Sequence, residues 1–458
     1  PVRKTDAVQV DAYGQDGDQF QYPYPLDENQ FLITYTPYHS GNRNYKRPYA
    51  IYFMNIEGQR ELLVWDKTIS CNQPILLAPR KRPHIRPSIV DYRESSGAYY
   101  VQDIYQGEGL RGIPRGIVKK LRVIALEFRA AGIGDVRNHG RGGRALASTP
   151  IGIGNTSWDV KVVLGDAKVH EDGSALFNVP ARTPVYFQAL DAKGHMVQTM
   201  RSWSTLQPKE KFSCVGCHEN KNGAPPNLKT QTQALKTGPE SLQPFYGPPR
   251  GFSFIKEIQP ILDRHCIRCH NDRRALQKRL PNVAVNLNMT SKSYVNKQPS
   301  DKKVFSLLGV QNEDFLAKRR WSDSYLALTQ AYSRDKNRNG SYYYCGNQDG
   351  QVVNWINVMS EPTMLPPYYK GSSKSKLIAM LAAGHNEVTL SQEEMDIIAC
   401  WIDLAVPYCG DYTEANLWTP EELKKYQHFA EKRKRMKWLE QTNINRYNQY
   451  QKEGLQYR

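Results

Sequence analysis

Two kinds of hydrophobic pattern divide the chain near residue 250. Upstream, short runs rich in Val, Ile, Tyr and Phe alternate with polar positions and stop at Gly-containing turns, which is the pattern of strands. NQFLITYTP (29–37) and YAIYFMNIEGQRELLVW (49–65) predict strands with a hairpin turning at Glu57-Gly58. AYYVQDIYQGEG (98–109) and GIVKKLRVIALEF (116–128) repeat the strand character. KVHEDGSALFNVP (168–180) and VYFQALDAKGHMVQTMRS (185–202) add two further turns, at Asp172-Gly173 and Lys193-Gly194. Regularly spaced short strands predict a sandwich or propeller blades.

Downstream the period lengthens to that of a helix. In FSFIKEIQPILDRHCIRCH (252–270), Phe254, Ile258, Ile261 and Leu262 share one helical face, and Pro260 marks the start of the helix. In LSQEEMDIIACWIDL (390–404), Ser391 and Glu394 form a capping box, Leu390 and Met395 a staple, and Met395, Ile398 and Trp401 an apolar stripe. The tail opens with a second box, Thr419 to Glu422 with Pro420 at the first helical position. It continues as a basic helix expected to pack through Leu423, Tyr426, Phe429 and Trp438. Between these helices lies a long stretch, about 275–370, rich in Tyr, Asn, Gly and Lys, expected to be a polar insertion. The expected fold is multidomain α+β. Residues 1–75 form a propeller-blade-like β segment, 76–250 a β-rich domain, 251–412 a helical domain carrying the insertion, and 413–458 a basic helical tail.

The chemistry lies in a motif that occurs twice. Cys214, Cys217 and His218 in KFSCVGCHENKNGAPP return as Cys266, Cys269 and His270 in RHCIRCHND. Zinc would use the thiolate pairs, but ribbon-type sites separate their halves by about 15–20 residues, far less than the gap here. Zinc also leaves the adjoining histidines unexplained. With 10 His in 458 residues, finding one behind both pairs by accident is about a 1-in-2,000 event. Haem c accounts for all six residues, because two thiols add across the vinyl groups and the adjacent imidazole is placed under the iron. Two covalently bound haems are therefore expected, with His218 and His270 as proximal iron ligands.

For the second haem the opposite ligand is expected to be His385, on the loop before the C-terminal capped helix, with Met364 and Met380 as rivals. For the first, His195, Met200, His84 and His39 are all candidates, and no catalytic residue is assigned. The remaining cysteines are Cys71, Cys345, Cys400 and Cys409. A disulfide joining Cys345 or Cys400 to Cys409 is favoured, with Cys71 free, buried or a ligand.

Haem c attachment takes place outside the cytoplasm, so a periplasmic or extracellular location is expected. The opening PVRKTDAVQV has no apolar signal region, consistent with a leader already removed or a trimmed product. No apolar run approaches the roughly 18 residues of a membrane span. The formal charge of +17 is spread over RKRPHIRP, FLAKRRW, SRDKNRNG and EKRKRMKW rather than gathered in one motif. That distribution argues against nucleic acid and for a solvated basic surface that offsets haem propionates and steers acidic partners.

The order HEDGSALFNVPARTPVYFQALDAKGHMVQTMRSW, SCVGCHENKNGAPP, IQPILDRHCIRCH and SKLIAMLAAGHNEVTLSQEEMDIIACWIDLAVPYCGDYTEANLW resembles the middle and C-terminal domains of the hydrazine synthase alpha subunit family, over roughly residues 20–445. The resemblance implies a periplasmic or organelle-lumen dihaem protein, typically with a propeller in front. In hydrazine synthase a Tyr four residues past the first Cys-x-x-Cys-His holds the catalytic iron, and the motif's His goes to zinc. Here that position is Asn222, and no Tyr occurs between His218 and Tyr246. The departure removes the direct warrant for hydrazine chemistry and leaves His218 as an ordinary proximal ligand. The expected function is therefore electron transfer by a dihaem cytochrome, as part of a larger redox assembly. The alternative is a haem enzyme acting on a small nitrogen or oxygen species at the first haem.

Overall fold

The computed structural model describes residues 19–37, 48–84, 88–130, 133, 149–153, 159–218, 231–271, 305–315, 317–333, 342–344, 352–356 and 364–453. The chain divides into two compact units, Pro1–Pro87 and Ser88–Arg458. In the first, β1 (Gln19–Pro25), β2 (Gln30–Thr36), β3 (Ala50–Asn55) and β4 (Arg60–Val64) form an antiparallel meander in sequence order. Its last turn falls at Glu57-Gly58, where Gly58 takes a φ of 82° that a side chain would strain. The four strands thus make a simple up-and-down antiparallel sheet. The strand β1, with its Tyr-Pro repeats, is an addition to the sequence reading.

The second unit begins with two sheets. Strands β5 (Ser96–Val101), β8 (Ala175–Pro180) and β11 (Lys211–Cys214) form one, in the order β11-β5-β8. Strands β6 (Lys120–Leu126), β7 (Lys161–Lys168), β9 (Val185–Leu190) and β10 (Met196–Thr199) form the other, in the order β10-β9-β6-β7. Tyr99, Val101, Phe177 and Val179 of the first meet Leu121, Val123, Ala125, Val185, Ala189 and Val197 of the second in one core, so the arrangement is a sandwich.

The back of the four-stranded sheet is buried as well. Because side chains alternate across a strand, Ile124, Val163 and Tyr186 face a second core, away from Val123, Val162 and Val185. That second core is built by helices. After α1 (Gln233–Thr237), a π-turn at Phe254–Ile258 runs into α2 (Gln259–His265), with Pro260 at its start as the sequence predicts. Then follow the hairpin β12 (Gln311–Asp314) and β13 (Arg319–Ser322), α3 (Asp323–Thr329) and the pair β14 (Ala331–Ser333) and β15 (Tyr342–Tyr344). The chain closes with α4 (Lys376–Ala382), α5 (Gln392–Asp403) and α6 (Pro420–Lys452). Both predicted capping boxes are present, at Ser391 and Thr419.

Two expectations about packing change. Trp321, Tyr325, Val353 and Trp355, from the stretch expected to be a polar insertion, are buried in the helical core beside Phe254, Trp401 and Tyr408. On α6, Tyr426 packs against Trp418, but Trp438 is 63% exposed instead of forming part of the contact face.

The Cys400–Cys409 disulfide is not formed. Both residues are fully buried in the helical core, yet both are free thiols. The Cys409 thiol donates to the Glu414 carbonyl at 3.3 Å, and Cys400 lies against Arg122. Cys345 falls outside the described residues, as do His39 and Asn222. Among the described residues no helix is long and apolar enough to cross a membrane.

Candidate functional site

The first Cys-x-x-Cys-His motif sits where β11 ends. Parallel pairing of β11 with β5 places Cys214 beside Val101, and the chain then turns through Val215-Gly216-Cys217-His218. The loop that follows β5 wraps this turn with backbone hydrogen bonds. Gln102 and Asp103 donate amides to Cys214 and Val215 carbonyls, Gly109 donates to that of Cys217, and Cys217 donates to that of Ile104. The fit is close enough that a Cβ at Gly109 would come within 2.6 Å of the Cys217 sulfur. Arg115 holds the loop from behind, bonding the Asp103 carboxylate at 2.9 Å and the Asp172 carbonyl at 2.7 Å. The buried Gln198 amide donates to the carbonyls of Gly109 and Leu365. His218 stands at the rim with a left-handed φ of 60°, exposed.

The second motif caps α2. Ile261 and Leu262 bury into the helical core, Cys266 is the C-cap, and the amide of His270 returns to the Cys266 carbonyl. Cys266 and Ile267 pack on the core while Cys269 is exposed. Burial pushes the Cys266 thiol above its ordinary pKa, and neighbouring Cys269 and Glu394 add to the shift. Beyond the insertion the chain comes back to this point: Leu307 donates its amide to the His270 carbonyl, and the Phe305 ring meets the His270 imidazole edge-on at 5.3 Å.

His385 comes from the other side. It occupies a tight turn between α4 and α5, where Gly384, Asn386 and Glu387 all have positive φ and Val388 donates back to the His385 carbonyl. This turn sets the His385 imidazole opposite His270, ring centres 6.1 Å apart and planes 12° from parallel. A metal–imidazole bond of about 2 Å and half a ring, about 1 Å, on each side add up to about 6 Å. The ring spacing thus equals that of two imidazoles on one metal ion, while His385 Nε2 lies 3.3 Å from the Asn386 side-chain amide. Burial, with His385 adding, holds the His270 imidazole below its ordinary pKa, which favours the neutral form that ligates metals. The rival Met380 sits 39% exposed on α4.

Sequence reasoning missed the residue that fixes this pair. Glu394, the capping-box residue of α5, also accepts from His265 and Arg264 at 2.9 Å each, joining the end of α2 to the first turn of α5. Burial raises its pKa, but the Ser391 amide, Arg264 and His265 outweigh that and hold it near about 2. The carboxylate thus locks the two segments that present His270 and His385. The legible signal was the adjacency of Arg264 and His265 to the motif.

Of the candidates for the first motif's far side, Met200 packs against the helical core rather than the sandwich. His195 lies in the β9–β10 hairpin, its amide bonded to Asp191. His84 is exposed in the first unit. The two motifs rest on different cores, Cys217 on the sandwich and Cys266 on the helices, so their thiols do not converge on one tetrahedral site. Among the described residues no three or more His, Cys, Asp and Glu side chains form a metal-holding group.

Residues 116–219 match the family model described as hydrazine synthase alpha subunit middle domain, a span that includes the whole first motif. Hydrazine synthase subunit alpha of Kuenenia stuttgartiensis is 22% identical, over 61% of this chain and 43% of the relative. The solved hydrazine synthase of Kuenenia stuttgartiensis has the same fold, with a TM-score of 0.54 at 18% identity, over 87% of this chain and 56% of that one. The chain thus spans about half the length of the relatives it matches.

Proposed function

We propose, from the premise that this chain is hydrazine synthase alpha-like in its middle domain and in fold, that it is the haem-carrying subunit of an oxidoreductase acting on a small nitrogen or oxygen species. The first motif, Cys214, Cys217 and His218, would hold the reactive haem. The second, Cys266, Cys269 and His270 with His385, would hold a relay haem. When bound, such haems exchange single electrons, and one with an open axial position also takes a small ligand. The protein would work outside the cytoplasm, where thioether attachment occurs, as one subunit of an assembly.

The observation that carries the division of labour is the pairing of His270 with His385. Two imidazoles from within the fold would hold the iron of that haem, which would leave it no site for a small ligand. No equivalent ring faces His218 among the described residues. The chain's own contribution at the first motif is positioning, through the 102–109 loop and the Arg115 clamp behind it. The family match over the first motif supports an enzyme over a simple carrier.

Exposure of the reduced protein to carbon monoxide, read by absorption, tests the assignment. Half of the haem absorbance is expected to shift, from the first site alone. If neither haem responds, the protein is an electron carrier and the enzyme reading fails.

A further inference from the structure

The helix α6 is anchored to the second unit at both ends and bare in the middle. Its 33 residues span about 50 Å at 1.5 Å per residue. Near the N-terminus Tyr426 packs on Trp418 and Tyr412. Near the C-terminus Ile444 is buried, Tyr447 meets Tyr92, and Asn448 donates to the Tyr92 carbonyl. Between the ends, all ten residues of EKRKRMKWLE (431–440) are exposed. They include five cations and two acids, and one of the acids, Glu440, is paired with Arg182 at 3.3 Å. Arg433 lies over the Phe128 ring, but Lys432, Lys434, Arg435 and Lys437 have no ion-pair partner among the described residues. Met436, Trp438 and Leu439 stand 53%, 63% and 44% exposed among them.

We infer that this central face of α6 docks an acidic protein surface, that of a partner subunit in the assembly proposed above. Charge complementarity identifies the occupant's sign, and side-chain type identifies its class. Trp, Arg and Met are the residues enriched at protein interfaces, with an aromatic anchor ringed by polar groups. A helix lying on lipid separates an apolar face from a basic one. Here the two kinds are interleaved: Trp438 follows Lys434 and Arg435 by four and three residues, and Leu439 follows Arg435 by four, so each apolar side chain shares its face with cations. Past the C-terminal anchor, Lys211 and Lys452 line a cavity of about 770 Å³ together with Arg93 and Lys209, both of which are paired with Asp91. Folding of this chain alone gives little reason for the composition, since Trp438 stays 63% exposed.

The test uses the natively purified assembly and rests on the assembly reading in part only. Zero-length carbodiimide coupling joins amines to carboxylates in contact, and mass spectrometry is expected to find Lys432, Lys434 or Lys437 coupled to Asp or Glu of a different polypeptide. The combined variant Lys434→Glu, Arg435→Glu, Trp438→Ala, with helicity checked by circular dichroism, is expected to retain that polypeptide at least tenfold less well. Coupling only to this chain's own carboxylates, or undiminished retention by the variant, overturns the inference. So does variant-sensitive binding to phosphatidylglycerol vesicles or duplex DNA with no coupled polypeptide. Intact mass of each preparation separates the two readings: an absence of haem refutes the proposed function while leaving the coupling result to stand.

Discussion

His270 and His385 face one another with ring centres 6.1 Å apart and planes 12° from parallel, although 115 residues separate them in the chain. Replacing His385 by Ala leaves the thioether pair and His270 in place and removes one axial donor. The expected result is a low-spin to high-spin change confined to one haem, seen by absorption and electron paramagnetic resonance. An unchanged spectrum would refute the pairing.

The denatured protein is expected to exceed its polypeptide mass by two haems, with no zinc by elemental analysis. Replacing Cys269 by Ala weakens attachment at the second site alone, because the first motif sits on a different core. Loss of both haems from that variant would contradict the independence of the two sites.

Gly216 is buried under the loop that follows β5, and a Cβ there would collide with the backbone oxygens of Gln106 and Asp103. Gly216→Ala is expected to destabilise by about 1–3 kcal/mol, the usual range for forced overpacking. Urea denaturation measures the loss, and reduced haem occupancy at the first motif should accompany it. A variant as stable as the parent would show that the loop does not clamp the motif.

Glu394 closes the capping box and ties α2 to α5. Glu394→Ala leaves the Ser391 hydroxyl on the backbone amide of residue 394 but removes the acceptor of the Ser391 amide and of Arg264 and His265, and a hydrogen bond to a charged group contributes about 1.5–3 kcal/mol. The depressed pKa sets the sign of the pH dependence: the carboxylate's contribution is complete above its unfolded value of 4.5 and is lost as pH falls towards about 2. Denaturation midpoints that fall with acid in the parent should fall less steeply in the variant over that window.

Asp403 behaves in the opposite sense. It ends α5 against the shared sheet, accepting from the Ser372 amide and hydroxyl at 2.7 Å and the Met196 amide at 3.1 Å. Burial raises its pKa to about 6, with those donors and Arg122 opposing. The folded state therefore holds this proton more tightly than the unfolded chain, whose value is 3.8. Stability contributed here is greatest below pH 4 and declines as pH rises to about 6. Asp403→Asn should flatten that decline, measured as the urea midpoint against pH, and an identical slope in the two proteins would exclude the assignment.

Much of this protein is written locally. The repeated Cys-x-x-Cys-His motif, the turns at Gly58, Gly173 and Gly194, and the capping boxes at Ser391 and Thr419 are short-range features. Each is set by neighbours within four or five residues, and each is legible in the sequence. The choice of His385 over Met380 rested on a loop position, and its setting opposite His270 is a through-space fact. That relationship depends on Glu394 joining α2 to α5 and on three left-handed residues that shape the turn. Strand alternation marked which residues of β6 share a face, but not that both faces would be buried. Only the tertiary structure set Val123 against the sandwich and Ile124 against the helices. The same holds for Cys400 and Cys409, both drawn into the core for their size and apolarity without being bonded, and for Trp438. An aromatic residue at helical spacing suggests a buried contact. A helix of this length, held at its two ends, leaves its centre in solvent, and no local pattern encodes where the rest of the chain stops.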